Sequence, residues 1–598
     1  MIPQPAARDT ANPPRDRRAG APGIGAIRPG APPEGILRRF TRGTEHPRGV
    51  VWFGASSFWG HLRHFFASAI ASQNLDARDW MTPDEPGALA ARMAEVLGGN
   101  PLAPTLVEAL RRDVYIDFVA DTGDDVAVSR AVARLVFAPY ELPDPDRPDA
   151  FLLAPRGDIL LFGGDTAYPV ATAQELTNRL VAPWNQVLQN LPDDEGHRVL
   201  LGVPGNHDWY DGLDGFGRLF RRPTPGFMAR PSCETVSPKM LEHYAEWTRA
   251  FLRGGTVDKP AALVLSGYTP VQNASYFALP LAPGIEMLAV DRQLTTTDSR
   301  QREFLKARYQ AQSASATLIV LPDPVYHFGV PSRTGTQMVE DLKLDPASRP
   351  TFFLSGDIHH YERLETRKVV HVIAGGGGAF LHPARIARGG AKPIVVWPSV
   401  AQSRALLREV PWKLFLGRSG FLPHLGLMAL FALSFAISRT LSVSTGVGVS
   451  AWVLTTLLLG ILYSLVGGVP RRRSVLPIAF GAALVTVLLS IGAPQLLDAA
   501  VAHFVPSAPV RFLLGLGTFA LGVAAGVFVF GGYLTLLTLL GYEHTQAFTV
   551  LDHPGFKHFV RLRVRADGQG IDAWCIGVAD PLGEDARPVL VDSFSWRP

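Results

Sequence analysis

The feature that most constrains this chain is a set of long apolar stretches in its C-terminal third, each without Asp, Glu, Lys or Arg. They are residues 419–438, 446–469, 474–497 and 512–540. A helix needs about 20 apolar residues to cross the hydrocarbon core of a bilayer, and each stretch reaches that length. Buried helices of a large soluble core seldom run so long without a charge. The sequence therefore predicts an all-α transmembrane domain of four helices at 419–540, after a linker at 401–418.

The basic residues around these stretches predict their orientation. Arginines at 471–473 fill the loop between the second and third stretches, and Lys413 and Arg418 precede the first. The two opposite loops offer only Arg439 and Arg511, at their edges. By the positive-inside rule, the N-terminal region, the arginine loop and the C-terminus face the cytoplasm. We expect a multi-pass protein of the inner (cytoplasmic) membrane.

The N-terminal segment and the composition exclude several classes of protein. Residues 1–48 are rich in Pro, Arg, Gly and Ala and lack the apolar run of a secretory signal, so we expect a disordered tail. The formal net charge of +4 is small for 598 residues and argues against a general nucleic-acid binder. The two cysteines, Cys233 and Cys575, lack a metal-type spacing, which fits a reducing compartment.

Residues 49–400 alternate short apolar strands with amphipathic helices, which is an α/β pattern. The strand-like segments are Tyr115–Ala120, Asp158–Phe162, Val199–Val203, Thr317–Leu321 and Thr351–Leu354. Each is followed at once by a cluster of polar residues. Since ligands of such folds bind at the carboxyl ends of the strands, we expect these clusters to meet in one crevice.

A second β-rich segment occupies 541–598, beyond the last apolar stretch. Phe559–Ala566 alternates apolar residues with arginines, Asp567–Gly570 supplies turn residues, and Ile571–Val578 is strand-like. This pattern predicts a small β-hairpin with one basic face. Because an isolated hairpin is only marginally stable, we expect it to dock elsewhere, with the α/β region as a candidate.

Four of the strand ends carry residues suited to chemistry. They read Asp121-Thr122-Gly123-Asp124, Gly163-Gly164-Asp165-Thr166-Ala167-Tyr168, Gly205-Asn206-His207-Asp208 and Ser355-Gly356-Asp357-Ile358-His359-His360. One Gly-Asp after a strand is a common turn, but carboxylates, an amide and imidazoles at successive strand ends form a set. Oxygen and imidazole ligands suit Mn, Fe or Zn. Two such ions about 3.5–4 Å apart can clamp the attacking and leaving oxygens of a phosphoryl displacement.

In this order, the blocks resemble the signature blocks of the calcineurin-like metallophosphoesterases, over residues 113–380. The resemblance implies a four-layer α/β (α+β) sandwich that hydrolyses a phosphomonoester or phosphodiester with two metal ions. The ligands that it implies are Asp121 and His359 on the first metal, Asp165 bridging both metals, and Asn206 on the second. It implies that His207 binds the substrate phosphate or protonates the leaving group, and we group Asp208 with it as a catalytic residue.

The first block departs from the family pattern. Asp-x-His is usual, but Gly123 stands at the His position, which would open a coordination site. Purple acid phosphatases, a branch of the family, also have Asp-x-Gly and fill the vacancy with the tyrosine of a Gly-Asp-x-x-Tyr block. Here that block runs from Gly164 to Tyr168. The resemblance therefore makes Tyr168 a metal ligand; the alternative is that Tyr168 packs against the following helix.

Two later blocks also depart from the pattern. The usual Gly-His-x-His is replaced by a block with Asp357 at the first His, so we expect Asp357 on the second metal. Where a His normally follows a strand, the chain has Pro322-Asp323-Pro324, and either Asp323 or His327 could serve. We interpret His360 as a pocket residue or as a residue that supports the ligands from behind, and not as a ligand itself.

The leading hypothesis is a membrane-anchored phosphoesterase with a cytoplasmic catalytic domain. Its expected cofactors are two metal ions (Fe, Mn or Zn), and its expected partners are a phosphoester substrate and the lipid bilayer, with no nucleic acid. One alternative is a catalytically silent membrane scaffold or sensor that has kept the fold. Another is a transporter with a regulatory phosphatase-like domain, which the absence of charge at the centre of any stretch disfavours. The sequence does not identify the substrate.

Overall fold

The structure is a computed structural model. It describes residues 45–54, 82–191, 196–222, 262–292, 297–311, 314–366, 368–440, 445–467, 473–501, 504–505, 507–584 and 586–598. The predictions made for the tail before residue 45, for Cys233 and for arginines 471 and 472 lie outside these residues.

The described residues form mixed α/β structure and a group of apolar helices. The strands, in chain order, are β1 (Val114–Val119), β2 (Tyr140–Asp144), β3 (Arg147–Ala154), β4 (Ile159–Phe162), β5 (Arg198–Gly202), β6 (Tyr268–Pro270), β7 (Phe277–Ala282), β8 (Ile285–Ala289), β9 (Ala316–Leu321), β10 (Tyr326–His327), β11 (Val330–Pro331), β12 (Thr351–Ser355), β13 (Tyr361–Glu365), β14 (Val369–Ala374), β15 (Val395–Trp397), β16 (Lys557–Val564), β17 (Ile571–Val578) and β18 (Val589–Trp596). The α-helices are Pro86–Val96, Leu106–Leu110, Val126–Phe137, Ala173–Leu176, Ala182–Leu188, Asn206–Trp209, Asp214–Phe220, Ser299–Gln310, Arg333–Asp341, Val400–Leu406, Val410–Phe415, Leu422–Thr440, Thr445–Val466, Val475–Val487, Ala493–Val501, Ala508–Leu540 and Gln546–Leu551.

Two seven-stranded sheets form the α/β part. The first has the order β18-β17-β16-β1-β4-β5-β6, and the second has the order β15-β13-β14-β12-β9-β8-β7. Strands β1, β4, β5 and β6 run parallel, as do β8, β9, β12 and β14. The central strands β1, β4, β9 and β12 are buried along their whole length, which suits their largely apolar sequences; the exception with a charge is Asp117 of β1.

Apolar side chains from both sheets share one core. Ile116 and Leu161 of the first sheet belong to the same buried cluster as Leu318 and Leu354 of the second. The other face of each sheet is covered by helices: Val126–Phe137 and Ala182–Leu188 on the first, Ser299–Gln310 and Arg333–Asp341 on the second. The mixed α/β class predicted from the sequence is confirmed.

The C-terminal segment, predicted as a β-rich tail at 541–598 that docks elsewhere, belongs to the first sheet. β16 pairs antiparallel with β1, from Val114 opposite Val564 to Phe118 opposite Val560. β17 and β18 extend the sheet further, so the predicted hairpin is present but has a third strand. The α/β unit is therefore built from chain segments on both sides of the apolar helices.

The arginines of β16 do not form an exposed basic face. Arg561 is fully buried and pairs with Asp117 of β1, with 2.6 Å between Nε and Oδ1. Arg563 pairs with the buried Asp572 of β17. Arg561 and Arg563, which the sequence predicted on one basic face of the hairpin, therefore bind carboxylates within the sheet.

Among the described residues, two helical segments are long and apolar enough to cross a membrane. They are Val475–Leu497, of 23 residues, and Ala508–Leu540, of 33 residues. They correspond to the third and fourth predicted spans. The apolar parts of the helices at the first and second predicted spans are shorter, Leu422–Ala432 and Ser450–Val466. Large apolar side chains project outwards from both long segments, and Leu496 is 73% exposed.

Candidate metal centre

Acidic residues at the carboxyl ends of both sheets meet at one point. Asp121 follows β1, Asp165 follows β4 and Asp357 follows β12. All three have left-handed backbone conformations, with φ of 59°, 49° and 66°. This conformation is uncommon outside glycine and costs on the order of 1 kcal/mol per residue. It makes a tight turn after each strand, and the backbone N–H of Asp357 donates to Asp121 Oδ2 at 2.9 Å.

The hydroxyl of Tyr168 lies at the centre of this group. Its oxygen is 3.1 Å from Asp121 Oδ1, 3.2 Å from His359 Nε2 and 3.4 Å from Asp165 Oδ2. Tyr168 is almost completely buried. Its hydroxyl thus faces the carboxylates, and the alternative in which it only packs against the following helix does not describe this geometry.

The absence of a side chain at position 123 is a steric requirement. A Cβ atom on Gly123 would lie 2.4 Å from the carbonyl oxygen of Thr166, and the residue has a φ of +58°. No histidine fits there while the turn that contains Tyr168 is in place. The backbone of Gly375 also lies close to the carboxylate of Asp121: a Cβ atom on Gly375 would be 2.5 Å from Asp121 Oδ2.

The electrostatics of this group favour a bound cation. Burial and then the charge of Asp357 raise the pKa of Asp121 well above its usual value. Burial and then the charge of Asp121 do the same for the pKa of Asp165. Burial and the charge of Lys557 lower the pKa of His359 to about 4, so its imidazole is neutral, as a metal ligand must be.

The donor set fits one metal ion. His359 Nδ1–H donates to the carbonyl oxygen of Phe380 at 2.7 Å, which leaves Nε2 as the ligating nitrogen beside Asp121. In the described part of the chain, no three His, Cys, Asp or Glu side chains alone form a group that could hold a metal ion. The oxygen of Tyr168 is a further donor within 3.4 Å of Asp121, Asp165 and His359.

The other half of the predicted centre contains an arginine that sequence reasoning missed. Arg292 Nη1 lies 2.9 Å from Asp323 Oδ1 and 3.3 Å from Asn206 Oδ1. Burial and then the charge of Asp357 raise the pKa of Asp323 to about 7. Arg292 comes three positions after the end of β8, so it obeys the same strand-end rule as the other site residues. That position was the signal that could have identified it.

His207 is held firmly against this group. Its backbone N–H donates to Asp165 Oδ1 at 2.8 Å, and its Nδ1–H donates to the carbonyl oxygen of Pro169 at 2.6 Å. Its ring packs against Tyr168, with 4.5 Å between the ring centroids. The imidazole therefore has a fixed orientation and lines the pocket above the carboxylates.

Three further predicted residues, Asp208, His327 and His360, have the following surroundings. Asp208 is fully buried and accepts hydrogen bonds from the backbone of Gly205 (2.8 Å) and from Thr166, so it fixes two loops and acts as a positioning residue. His327 lies in β10 with its ring against Phe328. His360 is fully buried, and its Nδ1–H donates to a backbone carbonyl, so it does not line the pocket.

A pocket of about 450 Å³ opens above the carboxylates. Besides the predicted site residues, its walls contain residues from segments that sequence reasoning did not connect with the site. These are Trp52, Phe53, Thr545, Gln546 and Thr549. The last three lie just beyond the long apolar helix Ala508–Leu540, so the C-terminal segment contributes to the site as well as to the sheet.

Comparisons with known proteins add little to this geometry. No protein-family model matches the chain, and no curated protein matches it. Among solved structures, the chain is similar to "GAP50 the anchor in the inner membrane complex of Plasmodium", with a TM-score of 0.30 and 11% identity. The similarity covers 48% of this chain and 78% of that chain. It is too remote to support a conclusion about fold or function.

Proposed function

We propose that this chain is a membrane-associated, metal-dependent phosphoesterase. The observation that carries the proposal is the convergence of Tyr168 Oη with Asp121, Asp165 and His359, of which all but the buried Asp121 line the pocket. These residues come from the blocks that resemble calcineurin-like metallophosphoesterases. The shared core of the two sheets, with helices on their outer faces, fits the four-layer sandwich of that family.

The residues of the chain divide the chemistry between them. A metal ion held by Asp121, Asp165, Tyr168 and His359 would supply Lewis acidity and a water of lowered pKa for attack on phosphorus. His207, oriented by its bond to Pro169, presents its other ring nitrogen for proton transfer at the leaving-group oxygen.

Membrane association is supported by the two long apolar helices and their exposed side chains. The pairing of β16 with β1 places the chain before and after these helices on one side of any bilayer that they cross. The number of crossings between them must therefore be even, which suits either the two candidate spans or the four predicted ones. The arginine distribution assigns that side to the cytoplasm.

The pocket lies close to the ends of these helices, which favours a phosphoester at the membrane surface as substrate. The carbonyl oxygen of Phe53, a pocket residue, accepts a hydrogen bond from the backbone of Leu422 at 3.2 Å, where the first apolar helix begins. Helix Gln546–Leu551, which carries pocket residues, starts six positions after Leu540. A phosphorylated lipid headgroup would have only a short distance to travel to the centre.

The test is hydrolysis by the full-length chain in detergent, supplied with Mn²⁺, Zn²⁺ or iron. The substrates are an aryl phosphate, a soluble diester, and phosphatidic acid in phosphatidylcholine vesicles. Asp165→Asn should abolish activity, whereas Glu286→Gln, a buried carboxylate paired with Arg308, should retain it. Hydrolysis of the aryl ester but not of the vesicle lipid would contradict a substrate at the membrane surface, but it would agree with phosphoesterase activity.

A catalytically silent scaffold is the second candidate, and one observation favours it. Arg292 occupies the contacts of Asn206 and Asp323 that a two-metal enzyme would need. Metal-loaded wild-type protein that hydrolyses none of these substrates would favour the scaffold over the enzyme.

A further inference from the structure

We infer that the guanidinium of Arg292 stands where the second metal ion would be, so that the centre takes one metal ion and one arginine. This inference rests on the proposed phosphoesterase function and modifies its two-metal form. It assigns Arg292 as a phosphate-binding residue of the same site.

The contacts of Arg292 are those expected of a second cation. One nitrogen, Nη1, bonds both Asp323 Oδ1 (2.9 Å) and Asn206 Oδ1 (3.3 Å). Asp323 is only 5% exposed, so its carboxylate needs a positive partner, and the arginine provides one. Metal–oxygen bonds are about 2.0–2.2 Å long, so an ion on either oxygen would lie against the guanidinium, cation against cation. The residues of this half therefore do not fit a metal while Arg292 is in place.

The remaining donors of Arg292 suit an anion. Its Nε is buried and has no hydrogen-bond partner among the described residues, and its side chain is 21% exposed. A guanidinium offers donors in a planar fork that matches two phosphate oxygens, and it stays charged at every working pH. Asn206 and Asp323 hold this fork, and Asn206 itself belongs to the pocket wall together with Asp357. A phosphoryl group that reaches Asp165 would thus find a fixed positive charge on its other side.

The role proposed for Arg292 differs from that of an arginine in a purely structural ion pair, and Arg308 is an arginine of the second kind. Arg308 pairs with the buried Glu286 of β8, at 2.6 Å, on the same sheet. It contacts none of the residues of the candidate centre in the described structure. Arg308→Gln therefore controls for the loss of one partially buried arginine–carboxylate pair.

The experiment measures two quantities on the full-length chain in detergent: bound metal per chain after equilibration with Mn²⁺, and affinity for inorganic phosphate. Wild-type protein and Arg308→Gln should each bind one ion. Arg292→Gln should bind phosphate about 10- to 100-fold more weakly, the usual effect of losing a charge-assisted hydrogen bond, and should admit a second ion. Arg292→Lys should keep the single ion and recover part of the phosphate affinity, which guards against misfolding of the Gln variant.

Two results would overturn the inference. One is a wild-type protein with two bound ions; if it also hydrolyses phosphoesters, the proposed function stands in its two-metal form. The other is an Arg292→Gln variant that binds phosphate as tightly as wild type. Wild-type protein that binds no metal and hydrolyses nothing would remove the proposed function together with the inference.

Discussion

Replacing Arg561 should destabilise the α/β unit far more than its sequence pattern suggests. The guanidinium is fully buried, with Nε and Nη2 at 2.6 and 2.9 Å from the two oxygens of Asp117. It also donates to the backbone carbonyls of Val136 (2.8 Å), Ala138 (2.9 Å) and Ala154 (3.3 Å). Arg561→Met would leave the buried carboxylate of Asp117 without its counter-charge and these carbonyls without that donor.

The expected magnitude follows from the geometry. Removing one partner of a buried ion pair costs about 3–5 kcal/mol, because the other charge stays buried. At about 2 °C per kcal/mol for a unit of this size, the melting temperature should fall by roughly 6–10 °C. Arg565→Met is the matched control, one position beyond the end of β16. Its nearest partners, Asp146 and Asp567, are 45% and 41% exposed, and such pairs contribute about 1 kcal/mol or less. The buried Asp572, 3.6 Å from Arg565, keeps its closer pair with Arg563 in this variant.

Thermal unfolding followed by tryptophan fluorescence would measure the difference. A double variant that combines Arg561→Met with Asp117→Asn should recover part of the loss, since it removes the lone charge and keeps an acceptor for the Gly157 N–H, 2.8 Å away. If Arg561→Met lowers the melting temperature no more than Arg565→Met does, β16 does not lie beside β1 and the reasoning fails.

Three further results are expected. Oxidised, iron-loaded protein should show a visible phenolate-to-Fe³⁺ charge-transfer band, and the Tyr168→Phe variant should lack it. If iron-loaded wild-type protein shows no such band, Tyr168 is not a ligand, but the phosphoesterase proposal is unaffected. Burial lowers the pKa of His371 from 6.5 to about 4. Between these values only the unfolded chain takes up the proton, so stability falls as the pH falls through this window, by up to about 3 kcal/mol. The fall should be smaller in His371→Phe, as measured by urea midpoints, and an identical slope would contradict the assignment. Reporter fusions to the N-terminal region and at residue 598 should lie on the same side of the membrane, with a fusion at 445 on the other; opposite sides for the first two would exclude the β1–β16 pairing in the membrane-bound protein.

The sequence determined those features that depend on short stretches of chain. Strands such as β4 and β12 are short, largely apolar runs, and the apolar helices are long stretches without charge, so both are visible without a structure. The strand-end rule placed Asp121, Asp165 and Asp357 in one crevice before any contact was known, because parallel strands end at the same edge of a sheet. The sequence also linked Gly123 with Tyr168, since the tyrosine replaces the ligand that is lost where glycine stands at the usual histidine position.

Tertiary structure alone decided the features that join distant parts of the chain. Arg561 and Asp117 are 444 positions apart, and alternating arginines in a strand look the same whether they face water or a buried carboxylate. The sequence therefore indicated a separate tail where the chain in fact returns across the apolar helices to complete the first sheet. Arg292 was missed for the same reason, because an arginine after a strand acquires a meaning only when Asn206 and Asp323 are brought to its side. Local patterns fix which segments are strands and helices, but partners are chosen by packing and charge compensation in three dimensions, which no short window of sequence contains.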